Sequence, residues 1–323
     1  MYIQIIKATG NGGMIMIEDI FMAFGTVNKI TVYEKCNINI LRYIRSKMLE
    51  LDSMLTIFDK NSIVSTINES AGVKYIEVPY DVYRLLNDSK KYGKMTNGIF
   101  DVTKGKATAF WRESIKKHEI SEYFADSDSV SWRCISLTQK ADTYMVCLDS
   151  KNAALDFGGI AKGFAVEMAY SILKEKNIKN AVINFGGSVK IIGHSRITGI
   201  QNPFMKTGEI MGIIPLKDNE SLVTSGIYEQ WANINHNIIH HIIDPRTMSP
   251  SDKDLVSVTL KGHNAETLDV LATTVMILGL SEGTALLRKK NIDAIFVTRD
   301  GNVFSTFPFS LMNPVKLSIE SSR

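Results

Sequence analysis

The sequence predicts a single α+β domain, and three observations carry that reading. Strand-like and helix-like stretches mix along the chain without strict βα alternation, which argues against a doubly wound parallel sheet. The 323 residues are 45% hydrophobic and 22% charged, enough to bury a sizeable core. The polar, acidic stretch from about Lys116 to Ser131 resembles a domain boundary, but the chemically suggestive motifs lie on both sides of it and must converge on one site.

Taken in order, the β-prone run 26–33 leads to Asn37, a cap for a helix whose Ile38, Leu41, Ile44, Met48, Leu51 and Leu55 recur at three- and four-residue spacing. A second helix follows Pro79, with Val82, Leu85 and Leu86 inside and Lys90 and Lys91 near its end. A strand is expected near Tyr144 to Leu148, a helix from the 156–163 motif to about Asn177, and a strand from Ala181 that ends at Gly186 and Gly187. Further strands are expected at 210–216, 238–243 and 255–261, helices at 265–279 and 281–290, and a closing strand at 293–298. The domain is drawn over 21–312, with an N-terminal extension 1–20 and a C-terminal tail 313–323.

Lys and Arg total 37 against 34 Asp and Glu, and a net charge of +3 with no basic stripe gives no reason to expect nucleic acid or an anionic membrane as partner. Cys36, Cys134 and Cys147 are odd in number and form no CxxC pair, so neither a disulfide framework nor a zinc site is indicated. The apolar run Met14 to Ile17 is interrupted by Glu18 and Asp19 and lacks the flanks of a secretory signal, and no stretch reaches the length of a membrane span. A cytoplasmic, reducing location is expected.

The stretch DFGGIAKG, Asp156 to Gly163, places a carboxylate, two glycines and a lysine where a strand turns into a helix. Gly158 and Gly159 allow close approach and positive φ, the helix start offers unpaired N–H groups, and Lys162 adds charge, so the junction suits a phosphate-bearing ligand. A plain glycine turn with an exposed lysine fits the same residues.

Asp269 and Thr273 stand four residues apart in the apolar helix ETLDVLATTVMIL, so both oxygens project from one face. A hard cation such as Mg²⁺ would partner that carboxylate. An Asp paired with a lysine and a Thr bonded back to its own helix accounts for the pattern equally.

In HHIIDPRT, alternation sends His240 and His241 to opposite faces, so at most one of them serves a given site, where an imidazole is suited to take a proton. NGIFDVTKG at 97–105, with Ile99, Phe100 and Asp101, and FGT at 24–26, which begins a strand, offer surfaces for a planar ring or simple core.

These pieces together resemble the ApbE-type flavin transferases, the FAD:protein FMN transferases, across roughly Phe24 to Phe309. FGT resembles that family's MGT, LTIFDKNSIVSTIN at 55–68 its LSxYxxxSxxxxxN, and NGIFDVTKG its DGxFDxTxG. The order continues through DFGGIAKG, NFGG, VTSGIYE, HHIIDPRT and the Asp-x-x-x-Thr helix. Met248 stands where glycine is usual after DPRT, which puts the local turn in question, and Phe24 and Phe58 stand where Met and Tyr are usual.

The resemblance implies a mixed α/β, T-fold-related flavin-transferase fold in one domain, with FAD as substrate and Mg²⁺ as cofactor. The metal ligands it implies are the Gly159 carbonyl, Asp269 and Thr273. FAD would contact Phe24, Phe58, Ile99, Phe100, Asp101, Asp156, Lys162 and Ile243, and His241 would be the base. The activity implied is transfer of FMN to a Thr or Ser hydroxyl of an acceptor flavoprotein, with release of AMP. The acceptor would carry a Ser/Thr-Gly-Ala-Ser/Thr motif; this chain has none, so self-modification is not expected. The rival readings are an FAD diphosphohydrolase using the same cleft and a non-catalytic flavin-binding protein; a nicotinamide oxidoreductase is disfavoured, because no GxGxxG follows a strand with an acid about 20 residues on.

Overall fold

The described residues open on a hairpin, β1 (Ile17–Ala23) and β2 (Thr26–Val32), turned by Phe24 and Gly25 at φ +54° and +70°. Two successive positive φ values match the right-handed twist of the flanking strands. FGT therefore turns the chain, and only its threonine begins a strand. Glu18 and Asp19, which interrupt the apolar run, belong to β1 and are paired, Glu18 with Lys29 and Thr31, Asp19 with Arg45. The main sheet thus takes in Ile17 to Ile20, residues assigned to an N-terminal extension. The computed structural model describes residues 16–120, 130–206 and 208–312; Glu122, Asp126 and Asp128 of the acidic stretch and the tail 313–323 lie outside them.

The first helix, α1 (Ile38–Leu55), is capped by the Asn37 side chain and buries Leu41, Ile44, Met48, Leu51 and Leu55 as their spacing predicts. A short α2 (Ile63–Glu69), capped by Ser62, was not anticipated; seven residues hold too little of a helical period to read. After β3 (Ile76–Val78), α3 (Tyr80–Met95) runs past Lys90 and Lys91 to Met95. An unanticipated α4 (Gly105–Lys117) follows. With β3, β4 (Ile135–Lys140) and β5 (Thr143–Leu148) form a small sheet in the order β3-β5-β4.

From DFGGI the chain enters α5 (Ala161–Glu175), then a hairpin of β6 (Ala181–Phe185) and β7 (Ser188–Ile192) through Gly186 and Gly187. Next come β8 (Arg196–Gln201), β9 (Ile210–Leu216), β10 (Ser221–Gly226), β11 (Trp231–Ile234) and β12 (Asn237–His240). The strand expected at 238–243 is divided: β12 stops at His240, and β13 (Ile243–Asp244) pairs instead with β14 (Ser249–Pro250). The chain closes through β15 (Leu255–Gly262), α6 (Ala265–Lys290), β16 (Asp293–Thr298), β17 (Val303–Ser305) and β18 (Ser310–Leu311). Within α6 the helix breaks at Gly279 (φ +81°), where Asp254 accepts from the Leu280 N–H at 3.0 Å, so it forms the two helices expected.

One eight-stranded sheet in the order β1-β2-β6-β7-β10-β15-β16-β17 organises the domain, and all its pairings are antiparallel. This is the α+β arrangement expected. Alternation sends Val223, Val258, Leu260 and Phe296 towards α1, α5 and α6, and Leu222, Ile295 and Val297 towards a second layer of β8, β9 and β18. The helix layer holds the main core, and the starts of α5 and α6 meet within it.

Candidate active site

A cleft opens where the α3–α4 loop, α4, the start of α5, the end of β10, the chain after β12 and α6 meet. Of the residues expected to serve a site, Ile99, Phe100, Asp101, Asp156, Gly159, Lys162, His241, Ile243 and Thr273 line it.

The diglycine turn is built by Asp156, whose Oδ1 accepts from the Gly158 N–H at 2.8 Å while Oδ2 takes the Arg112 guanidinium at 2.5 Å. Neither glycine has positive φ, contrary to the freedom expected of them. Gly159 is needed for closeness: a β-carbon there would stand 3.0 Å from Thr273 Oγ1 and 3.2 Å from Phe100 Cε2. Gly163 is tighter still, its β-carbon position 2.5 Å from the Ala265 carbonyl oxygen, so α5 and α6 touch backbone to backbone. Several N–H groups expected to be free at this helix start are taken, Ile160 and Ala161 by the Phe157 carbonyl and Gly163 by Asp269. The anion-binding potential of the turn therefore rests more on Lys162 than on the helix end.

Asp269 is 1% exposed. Its Oδ2 accepts from the Gly163 N–H at 2.9 Å, and its Oδ1 lies 4.0 Å from Lys162 Nζ. The Asp269 charge holds the Lys162 pKa above its ordinary value, against the opposing effect of burial. Thr273, one turn on, faces the cleft; the hydroxyl that bonds back to its own helix belongs to its neighbour Thr274, at 2.7 Å from the Val270 carbonyl. The structure so brings Gly159, Asp269 and Thr273 to one corner. Among the described residues no three His, Cys, Asp or Glu side chains gather as a metal cluster. The side-chain oxygens here, the Asp269 carboxylate and the Thr273 hydroxyl, are hard donors that fit Mg²⁺ better than a softer ion.

The two histidines face different surroundings, as expected, although His241 lies just past the end of β12 and not within a strand. His240 is buried, Nε2 donating to the Ser251 carbonyl at 2.9 Å and Nδ1 accepting from the Ile242 N–H at 3.3 Å. Both nitrogens are satisfied only in the neutral ring, and burial pushes its pKa down to about 4. His241 lines the cleft, and its Nδ1 donates to the Gln230 carbonyl at 3.2 Å, which leaves Nε2 as the acceptor. Burial lowers this imidazole to about 4 as well.

Phe24 and Phe58 lie outside this cleft, and Asp101 lies in it with its oxygens already in use. Asp101 lines the cleft with its carboxylate already engaged, Oδ1 by the Thr103 N–H and hydroxyl at 2.9 and 2.6 Å and Oδ2 by the Trp132 N–H at 3.0 Å. Phe24 sits in the β1–β2 turn and does not line the cleft. Phe58, 82% exposed, borders a neighbouring groove with Ile57, Ser65 and Asn68, and its ring centroid lies 6.0 Å from Arg112 Cζ.

Arg112 and Glu229 line the cleft without having been singled out. Glu229 was in view within VTSGIYE, and burial raises its pKa while Lys162 opposes the rise. Arg112 carried a signal only in its four-residue spacing from Thr108, another cleft residue, on a helix the periodicity did not reveal. The turn put in question by Met248 does form. Met248 adopts φ +59°, its side chain is 5% exposed, and its carbonyl accepts from Trp111 Nε1 at 2.7 Å.

Residues 24–296 match the model of the ApbE family. A curated FAD:protein FMN transferase of Klebsiella pneumoniae (strain 342) is 30% identical over 264 residues, 80% of this chain and 81% of that protein. Another from Buchnera aphidicola subsp. Schizaphis graminum is 26% identical over 287 residues, 85% and 83% of the two chains. Among solved structures, the ApbE protein of Thermotoga maritima matches with a TM-score of 0.75 at 25% identity, covering 90% of this chain and 96% of that one. The apo form of the Pseudomonas stutzeri flavinyl transferase ApbE matches in fold with a TM-score of 0.78 at 21% identity, over 91% and 95%.

Proposed function

The chain belongs to the ApbE family, and from that premise we propose that it transfers FMN from FAD to a Ser or Thr hydroxyl of an acceptor flavoprotein. The observation that carries this reading is the convergence of Gly159, Lys162 and Thr273 in the wall of a cleft that His241 also lines, with Asp269 buried behind them, 4.0 Å from Lys162 Nζ.

In the proposed reaction the acceptor oxygen attacks the FMN-side phosphorus of FAD. A phosphoester bond forms, the P–O bond to AMP breaks, and AMP leaves with the electron pair. His241, its pKa lowered by burial, is neutral at pH 7, and its Nε2 takes the hydroxyl proton. A bound diphosphate brings negative charge that raises the basicity of this ring. Lys162, kept protonated by Asp269, meets the phosphate oxygens. Gly159, Asp269 and Thr273 would hold Mg²⁺, which supplies charge stabilisation to the phosphates when bound.

The acceptor is a second protein bearing a Ser/Thr-Gly-Ala-Ser/Thr-like segment. Intact-mass measurement after mixing the protein with FAD, Mg²⁺ and such an acceptor tests the reading. Covalent FMN on the acceptor is expected, and Asp269→Ala should abolish it. FMN and AMP forming at the same rate without acceptor would favour diphosphate hydrolysis, and FAD left intact would favour a carrier.

A further inference from the structure

Arg112 is the cleft residue that the motifs leave unexplained. It comes from α4, and its side chain is 19% exposed. Nη1 donates to Asp156 Oδ2, the only hydrogen bond the guanidinium makes among the described residues, and Nε is enclosed without a partner. Nη2 stands 3.0 Å from the β-carbon position of Gly158, so no side chain separates the guanidinium from the diglycine turn. Its charge acts on both Lys162 and His241, which places three basic groups around one space.

An arginine presents five N–H donors in a fixed fork. One donor used and an enclosed one left unpaired in a cleft wall is unfavourable until an anionic oxygen completes the set. Asp156 meanwhile spends both oxygens, one on the Gly158 N–H and one on Arg112, so it anchors the guanidinium and has little left to offer a ligand.

We propose that Arg112 is a substrate-binding residue whose forked donors take a phosphate oxygen of the dinucleotide, alongside Lys162 and with Asp156 as the positioning residue. The inference rests on FAD being the substrate. It assigns Arg112 to the diphosphate, so ADP, which carries that group without the flavin, should feel its loss as FAD does.

Calorimetric binding of FAD and of ADP, each at low and high salt, tests this with wild type, Arg112→Lys and Arg112→Ala. Arg112→Ala is expected to weaken both ligands by about tenfold at low salt and to flatten their salt dependence, because a charge-assisted contact is removed. Arg112→Lys keeps the charge without the fork and should fall between; it also carries the test if the alanine variant does not fold by circular dichroism. An Arg112→Ala protein that matches wild type or loses affinity with an unchanged salt dependence, or an Arg112→Lys protein that matches wild type, would overturn the role and leave Arg112 as a brace for Asp156. Wild type that fails to bind FAD would instead sink the proposed transfer itself.

Discussion

Gly159 faces the Thr273 hydroxyl across a gap that admits a methyl group only if a neighbour gives way by a few tenths of an ångström: a β-carbon there would stand 3.0 Å from Oγ1 and 3.3 Å from Cγ2 of Thr273. The turn after Asp156 and the polar face of α6 are thus in direct contact, and any bulk added between them moves one against the other.

Gly159→Ala should therefore harm activity more than stability. Overpacking of this size costs about 1–3 kcal/mol, whereas displacing Thr273 by a fraction of an ångström is expected to slow transfer by up to about a hundredfold. Melting temperature and initial rate of acceptor labelling, measured together, check this. A rate within twofold of wild type would show that the contact is not used in catalysis.

Asp269 has two duties that two substitutions separate. Asp269→Asn keeps an oxygen for the Gly163 N–H but loses the charge, so near-native melting with no labelling and no stabilisation by added Mg²⁺ is expected. Asp269→Ala leaves that buried N–H unpaired and should cost a further 1–3 kcal/mol or so. Mg²⁺ raising the melting temperature of wild type and Asp269→Asn equally would remove Asp269 from the metal site.

His240 makes stability depend on pH. Its folded pKa of about 4 lies below the ordinary 6.5, so between these values the unfolded chain binds a proton that the folded one refuses. The stabilisation is complete above pH 6.5 and lost as pH falls through 4, roughly 3 kcal/mol over that window. His241 pulls in the same direction. His240→Gln should melt lower than wild type at pH 7.5 yet decline less steeply towards pH 4.5. Parallel decline of the two proteins would count against the neutral, doubly bonded ring.

Met248 holds a left-handed conformation that glycine would adopt freely, yet its side chain is buried. Glycine there would relieve about 1 kcal/mol of backbone strain and forfeit about 2–3 kcal/mol of apolar burial. Met248→Gly is expected to lower stability slightly, read as a drop of a few degrees in melting temperature; a rise would mean that the strain outweighs the packing.

The legible parts of the fold were those whose residues repeat a period over enough turns. Leu41 to Leu55 announced α1, and the Asp269–Thr273 spacing announced a helix face with two oxygens. β1 stayed hidden because Glu18 and Asp19 are neutralised by Lys29 and Arg45, partners that only folding supplies. At the site, DFGGIAKG and HHIIDPRT gave the right neighbourhood. They did not reveal that the glycines serve contact more than φ, that Asp101 is consumed by Thr103 and Trp132, or that Arg112 projects into the cleft. Each of these depends on what lies across the cleft, which spacing along a chain does not encode.

The break at Gly279 bears on where the long apolar helix α6 can reside. By length and composition Ala265–Lys290 is the one described helix that qualifies to cross a bilayer. The piece before Gly279 extends only about 20 Å at 1.5 Å per residue, well under the roughly 30 Å of hydrocarbon a span must cover. The piece after it carries Glu282 and ends in Arg288, Lys289 and Lys290. Its oily residues are spent lining the domain's interior, and a single glycine keeps the two rods from adding up to an anchor.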